Sequence, residues 1–264
     1  MLDSSHTQGA GLQAIAARAM PRIIAVASQG DPHSELPLLW NLCGTLMDLS
    51  GAPVTVLDGT TAEHAHNPGL LQLLQEGPRA VPTHRPVHEW LVLPAAQGLH
   101  RLRALDSDVS ETVSRLSLAL QGQAIVLLYA PATLLESVLA NSGIEPLLAV
   151  SSAPRSRLTA YQTLKHMLQY GGLRPMLATL VHEPLQSAVQ AGRAFSQQLQ
   201  DCAMYFLGYR LEAQTLAAEP IQEADTADLQ RLARRLLERA LPLAPQSSPG
   251  RPMAGWSTRL VGSP

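Results

Sequence analysis

Seven apolar, β-prone runs recur along this chain, and amphipathic helical segments separate most of them. The runs are Ile23–Ala27, Pro53–Gly59, Trp90–Ala96, Gln123–Pro131, Glu145–Pro154, Arg174–Val181 and Tyr209–Leu216. Most are apolar almost without interruption rather than alternating, the pattern of strands buried on both faces. Helical spacing predicts a helix through Leu38, Leu39, Leu42, Leu46 and Leu49, stopped at Gly51. Further helices are predicted over Asn67–Gly77, Ser107–Gln121, Leu158–Tyr170, Ser187–Leu207 and Asp225–Leu241. Strands of this kind alternating with helices give an α/β fold. The expected architecture is a mostly parallel, doubly wound sheet of about seven strands with helices on both faces, a three-layer α/β/α arrangement.

The pattern fills one domain over 21–241, with no internal repeat. Residues 1–20 form a separate N-terminal segment with a short helix from about Gly11. Residues 242–264 are rich in Pro, Ser and Gly and are expected to be disordered. Aromatic residues make up only 4% of the chain, so Leu, Ala and Val must fill the core. A net charge of −2 gives no whole-molecule attraction to nucleic acid, and basic residues interleaved with aromatics are lacking. Cys43 and Cys202 fall in apolar helical segments and read as free core thiols of a reducing compartment. No secretory h-region and no run of about 18 apolar residues occurs, so a cytoplasmic protein is expected.

In a sheet of this type ligands sit at the carboxyl ends of the strands, so the loop after the first strand decides the chemistry. Here it reads Gln29-Gly30-Asp31-Pro32-His33-Ser34-Glu35. A phosphate-binding loop needs glycines to turn backbone N–H groups inward, a Lys for the β/γ-phosphates and a hydroxyl for Mg²⁺. This segment resembles the deviant K-G-G-x-G-K-[ST] motif of the MinD/ParA-type ATPases. Laid ungapped on that motif, Gly30 takes the place of the signature Lys, and Asp31, Pro32 and Ser34 replace glycines. Glu35 replaces the phosphate-binding Lys and Leu36 the Mg²⁺-binding hydroxyl. One like-charge contact near 4 Å at an effective ε of about 20 costs about 4 kcal/mol, so the cradle is turned against a polyphosphate. Pro32 removes a donor as well.

The other stations of that family are eroded in the same way. "VTVLDGTT" resembles its segment ending D-x-D, with Asp58 at the first Asp and Thr60 at the second. "IVLLYAPAT" resembles the strand ending D-x-P-A-G, with Tyr129 for Asp and Thr133 for Gly. Thr179, in "MLATLV", stands where the family has the Asn that reads the base. "EPLLAVSSAPRSRLTAYQTLKHML" resembles a strand, turn and helix of the family, and "AVQAGRAFSQQLQDCAMYFLGYRLEAQTL" a later helix with "FLG" opening a strand, typical of the flagellar FlhG/FleN-like branch. That branch carries an N-terminal D-Q-A-x-x-L-R activator motif. "TQGAGLQ" keeps Gln8 and Leu12, candidate partner contacts, and departs at Thr7, Gly9 and Gln13.

The resemblance covers about residues 7–241. It implies a role in flagellar number or placement, with the SRP-type GTPase FlhF as protein partner. The losses imply a non-hydrolysing regulator with no cofactor. The alternative is an active nucleotide switch, with Ser34 and backbone amides holding ATP–Mg²⁺, or a partition- or cellulose-synthesis-type relative.

Helix "LQRLARRLLERAL" sets Leu229, Leu232, Leu236 and Leu237 on one face and Arg231, Arg234, Arg235 and Arg239 on the other. Two readings stand open: a peripheral contact with the inner face of the membrane, or a leucine stripe docked on the sheet with solvated arginines. The clusters Glu63–His66 and His84–His88 read as solvated loop residues, not a metal site. Asp58 reads as a turn cap or as a polar residue lining a vestigial cleft, and Ser28 with His33 lacks the carboxylate a hydrolase would need.

Overall fold

The structure is a computed structural model that describes residues 21–77, 90–105, 109–120, 123–153, 156–182, 186–218, 220 and 223–243. The seven expected strands form: β1 (Arg22–Ser28), β2 (Val54–Asp58), β3 (Leu91–Pro94), β4 (Ile125–Pro131), β5 (Leu147–Ser151), β6 (Met176–Val181) and β7 (Ala213–Ala217). They lie in the order β3-β2-β4-β1-β5-β6-β7 and every pair in that row is parallel. A short β8 (Leu241–Pro242) adds one antiparallel pairing, to Arg22 and Ile23. Since β5 pairs only with Val26 and Ala27, β8 fills the lower half of that side of β1. The fold thus runs past the expected boundary at 241, to a fully buried Leu243 whose N–H donates to the Pro21 carbonyl.

The continuous apolar runs are explained by two cores, one on each sheet face. Ile23, Ala25 and Ala27 of β1 point into one, and Ile24 and Val26 into the other; β4 divides in the same way. The second core is closed by α1 (Pro32–Ser50) and α8 (Glu223–Glu238). The first lies under α2 (Leu70–Glu76), α3 (Ala96–Ala104), α4 (Val109–Ala119), α5 (Ala132–Leu139), α6 (Ser156–His166) and α7 (Gln186–Leu207). Helix α1 ends as expected, with Gly51 left-handed at φ 63° and its N–H on the Met47 carbonyl.

Helices α3 and α5 are additions to the expected set; each begins within two residues of the strand before it, so no loop separates the helical pattern from the strand's apolar run. The helix expected over Ser187–Leu207 forms, so "FLG" closes a helix and does not open a strand as the resemblance implies. Phe206 and Leu207 are still helical in α7, and the left-handed Gly208 closes that helix with its N–H on the Met204 carbonyl.

Helix α8 resolves one open reading. Leu229, Leu232 and Leu236 are buried in the core, so its apolar face is already covered. Arg231 pairs with Asp228, Arg235 with Glu212 at 3.2 Å, and Arg239 with both Glu145 and Glu212. Arg234 is exposed. Among the described residues no helix is long and apolar enough to cross a membrane.

The cysteines differ from one another. Cys43 is 1% exposed, and burial pushes its thiol up to about 12, whereas Cys202 on α7 is only half-buried rather than a core thiol. A thiolate-directed reagent at about pH 8 should therefore modify Cys202 in the native protein and Cys43 only after unfolding. Thiol counting with and without denaturant checks this; rapid native labelling of Cys43 would contradict it.

Candidate functional site

The phosphate-loop segment does not form a seven-residue loop. Pro32 begins α1, where its missing N–H costs nothing, and only Gln29, Gly30 and Asp31 connect it to β1. Gly30 takes φ 75°, a conformation that turns the chain back on itself. This early start puts Glu35 in the first turn of the helix, facing inward and 1% exposed.

Its carboxylate sits where inward-turned loop amides converge. Glu35 Oε1 accepts the N–H of Gln29 at 2.6 Å and that of Asp31 at 3.3 Å. Oε2 accepts the Ser28 hydroxyl at 2.9 Å and the Tyr129 phenol. Backbone amides at a helix N-terminus form an anion site, and here the anion is the chain's own side chain. Burial first, and then the hydrogen bond to Glu35, hold the Tyr129 phenol well above the ordinary tyrosine range. Tyr129 stays neutral and donates. The two changes that look like separate losses in sequence, Glu35 and Tyr129, are one contact in the structure.

Next to this pair Ser34, 2% exposed, donates to Asp31 Oδ2 at 2.7 Å and meets His182 Nε2 at 2.9 Å. Ser34 has one proton, given to Asp31, so His182 supplies the proton of the second contact. The order carboxylate–hydroxyl–imidazole is wrong for nucleophilic catalysis, in which the carboxylate orients the histidine. His182 lies just beyond β6, and sequence reasoning misses it. Its only signal is its place at the carboxyl end of a core strand. Beyond these residues a cleft of about 680 Å³ extends to Ser151, Ser156 and Thr159.

The remaining expected residues separate. Asp58 is a turn cap, accepting the Thr60 N–H at 2.9 Å and both threonine hydroxyls, of Thr60 and Thr61, at 2.6 Å. Leu36 is 54% exposed and points away from the loop. Thr179 is fully buried against α7, with its hydroxyl 2.8 Å from that of Ser196, so it lies in the core rather than in the cleft. Gln8, Leu12 and the His84–His88 cluster lie outside the described residues. Among the described residues no group of three metal-ligating side chains converges.

The Glu63–His66 cluster departs from expectation at one residue. Its histidines are exposed as expected, but Glu63 is only 3% exposed. Its carboxylate accepts the N–H groups of Leu71 at 3.1 Å, Gln97 at 2.7 Å and Gly98 at 2.8 Å, tying the N-termini of α2 and α3 together. Gly98 permits this approach, since a Cβ there would lie 2.7 Å from Leu70 Cγ.

No family model and no curated protein sequence matches the chain. Solved structures do. A chain of the MinC:MinD cell division protein complex of Aquifex aeolicus superposes with a TM-score of 0.53 at 15% identity, over 84% of this chain and 98% of that one. The MinD cell division protein of Aquifex aeolicus solved by itself gives 0.50 at 15% identity, over 84% and 99%. A single-residue variant of Cyanothece McdA, in its ATP complex, gives 0.50 at 12% identity, over 84% and 96%. The fold is that of the MinD/ParA ATPases. On this MinD/ParA-like scaffold the carboxyl ends of β1 and β4 carry a carboxylate–phenol pair. Lysine cannot be recruited from nearby in sequence, because Lys165 on α6 is the chain's one lysine.

Proposed function

We propose that this protein is a non-hydrolysing regulator built on the MinD/ParA fold, acting by protein–protein contact in the control of flagellar number or placement. One observation carries the non-hydrolysing part: the loop amides of Gln29 and Asp31 already hold the Glu35 carboxylate. A triphosphate would have to displace that carboxylate and would meet its charge with no lysine to offset it. No cofactor follows from this reading.

The flagellar setting, and FlhF as the partner, rest on the sequence resemblance to the FlhG/FleN-like branch. The solved complex of MinD with MinC supports contact with a protein partner as a mode open to this fold. A contact of α8 with the inner face of the membrane would require its leucine stripe to leave the core, so the exposed Arg231, Arg234 and Arg235 are what is left for such a role.

The second reading, a nucleotide-dependent switch of partition or polysaccharide type, is favoured by the cleft beside Ser34, Ser151 and Ser156. Deletion of the gene in the source organism, with flagella counted by electron microscopy, tests the setting. An altered number or position is expected, restored equally by the natural gene and by one encoding Ser34→Ala. Unchanged flagella would remove the flagellar reading, and failure of the Ser34→Ala gene would favour the switch.

A further inference from the structure

We propose that the pocket between α1 and the β2–β3 edge of the sheet binds an organic cation with an apolar body, of the alkylammonium class. The pocket encloses about 300 Å³, at the small end of ligand sites. Its walls include Trp40, Trp90, Val56 and Val92, with Tyr129 and Asp58 completing it.

Aromatics are scarce in this chain, at 4% of residues, yet two of its three tryptophans and a tyrosine surround this one small space. Trp40 is 65% exposed, although a core short of aromatics could have used it. It stands edge-to-face on Trp90, with ring centroids 4.5 Å apart, so the two indoles hold each other as a fixed wall.

The charge in the pocket has one sign. Asp58 is held by the hydroxyls of Thr60 and Thr61, and Glu35 accepts the hydrogen bond of the Tyr129 phenol. Both carboxylates raise the Tyr129 phenol through their charge. Among the described residues none lining the pocket is basic, and none forms an ion pair with Asp58. An anion would be repelled, and a neutral apolar molecule would leave the carboxylate unused. A cation clothed in methyl or methylene groups uses both, with its charge over the aromatic faces and its carbon against Val56 and Val92. The inference is independent of whether the loop binds nucleotide.

Tryptophan fluorescence of the full chain should be titrated with choline chloride and, separately, with its neutral isostere 3,3-dimethylbutan-1-ol, at constant ionic strength. Choline is expected to bind at least tenfold more tightly. Asp58→Asn should reduce choline to the level of the alcohol. Trp40→Leu, at a largely exposed position that leaves the melting temperature unchanged, should weaken choline at least tenfold. Equal binding of the isostere to the natural chain, or unaltered choline binding by Trp40→Leu, would overturn the proposal. A peptide bearing trimethyllysine that competes tenfold better than choline assigns the cation to a protein side chain; competition no better than choline assigns it to a free small molecule.

Discussion

Replacing Glu63 by alanine is expected to cost about 4 kcal/mol of stability, because three backbone N–H groups lose their partner at once, those of Leu71, Gln97 and Gly98. Each donor stranded in a buried place costs about 1–3 kcal/mol, partly recovered where water can reach it. The loss falls on the first turns of α2 and α3, where uncompensated donors also concentrate positive potential. At about 2–4 °C per kcal/mol for a chain of this size, the melting temperature should fall by roughly 12 °C. Thermal or urea unfolding measures it. A loss below about 1 kcal/mol would show that the carboxylate is not what joins the two helices. Replacement of the neighbouring exposed His64 or His66 should change stability by less than about 0.5 kcal/mol.

The second large effect is expected at Glu35. Glu35→Ala leaves the amides of Gln29 and Asp31 and the hydroxyls of Ser28 and Tyr129 without their acceptor. A cost of about 3 kcal/mol follows from those stranded donors. The change should also do something that an ordinary core lesion would not. It empties an anion-shaped nest at a helix N-terminus, so inorganic phosphate or sulfate should now bind there. Binding to the folded state alone returns about 2.7 kcal/mol at about one hundred times the dissociation constant. The melting temperature of the variant should therefore rise with phosphate concentration while that of the natural protein stays flat. Parallel responses of the two proteins would mean that Glu35 is not the occupant of the nest.

The fold was legible in the sequence because its signal is long and repeated. Continuous apolar runs such as Ile23–Ala27 and Ile125–Leu128 can be satisfied only by burial on both faces, and both strands are buried throughout those residues. What escaped was short or distant. Helices α3 and α5 are short and each begins within two residues of the preceding strand, so its pattern runs on from the strand's without a loop to mark it. The acidity of the Gln29–Glu35 segment was plain, but its consequence was not. In sequence Glu35 is a wrong charge for a nucleotide; in the structure it is the right charge for the amides around it. Tyr129 lies 94 residues away, and His182 lies 148 from Ser34, so neither contact could be read from spacing. Thr179 shows the opposite error. It sits on the strand that the resemblance assigns to base reading, but its side chain turns to α7 and meets Ser196 in the core.

Glu63 teaches the same lesson in a different place. Next to two histidines it looks like part of a solvated cluster, and only the approach of α2 to α3 buries it. Two of the buried carboxylates, Glu35 and Glu63, do equivalent work at helix N-termini, and sequence alone distinguishes neither from a surface acid.

The loop after β1 is filled from within, by the Glu35 carboxylate. Calorimetric titration of the natural protein with ATP in the presence of Mg²⁺ tests it most directly. No saturable heat up to millimolar ATP is the expected result. Saturable, Mg²⁺-dependent binding at micromolar ATP, lost on changing Ser28 or Ser34 to alanine, would contradict it.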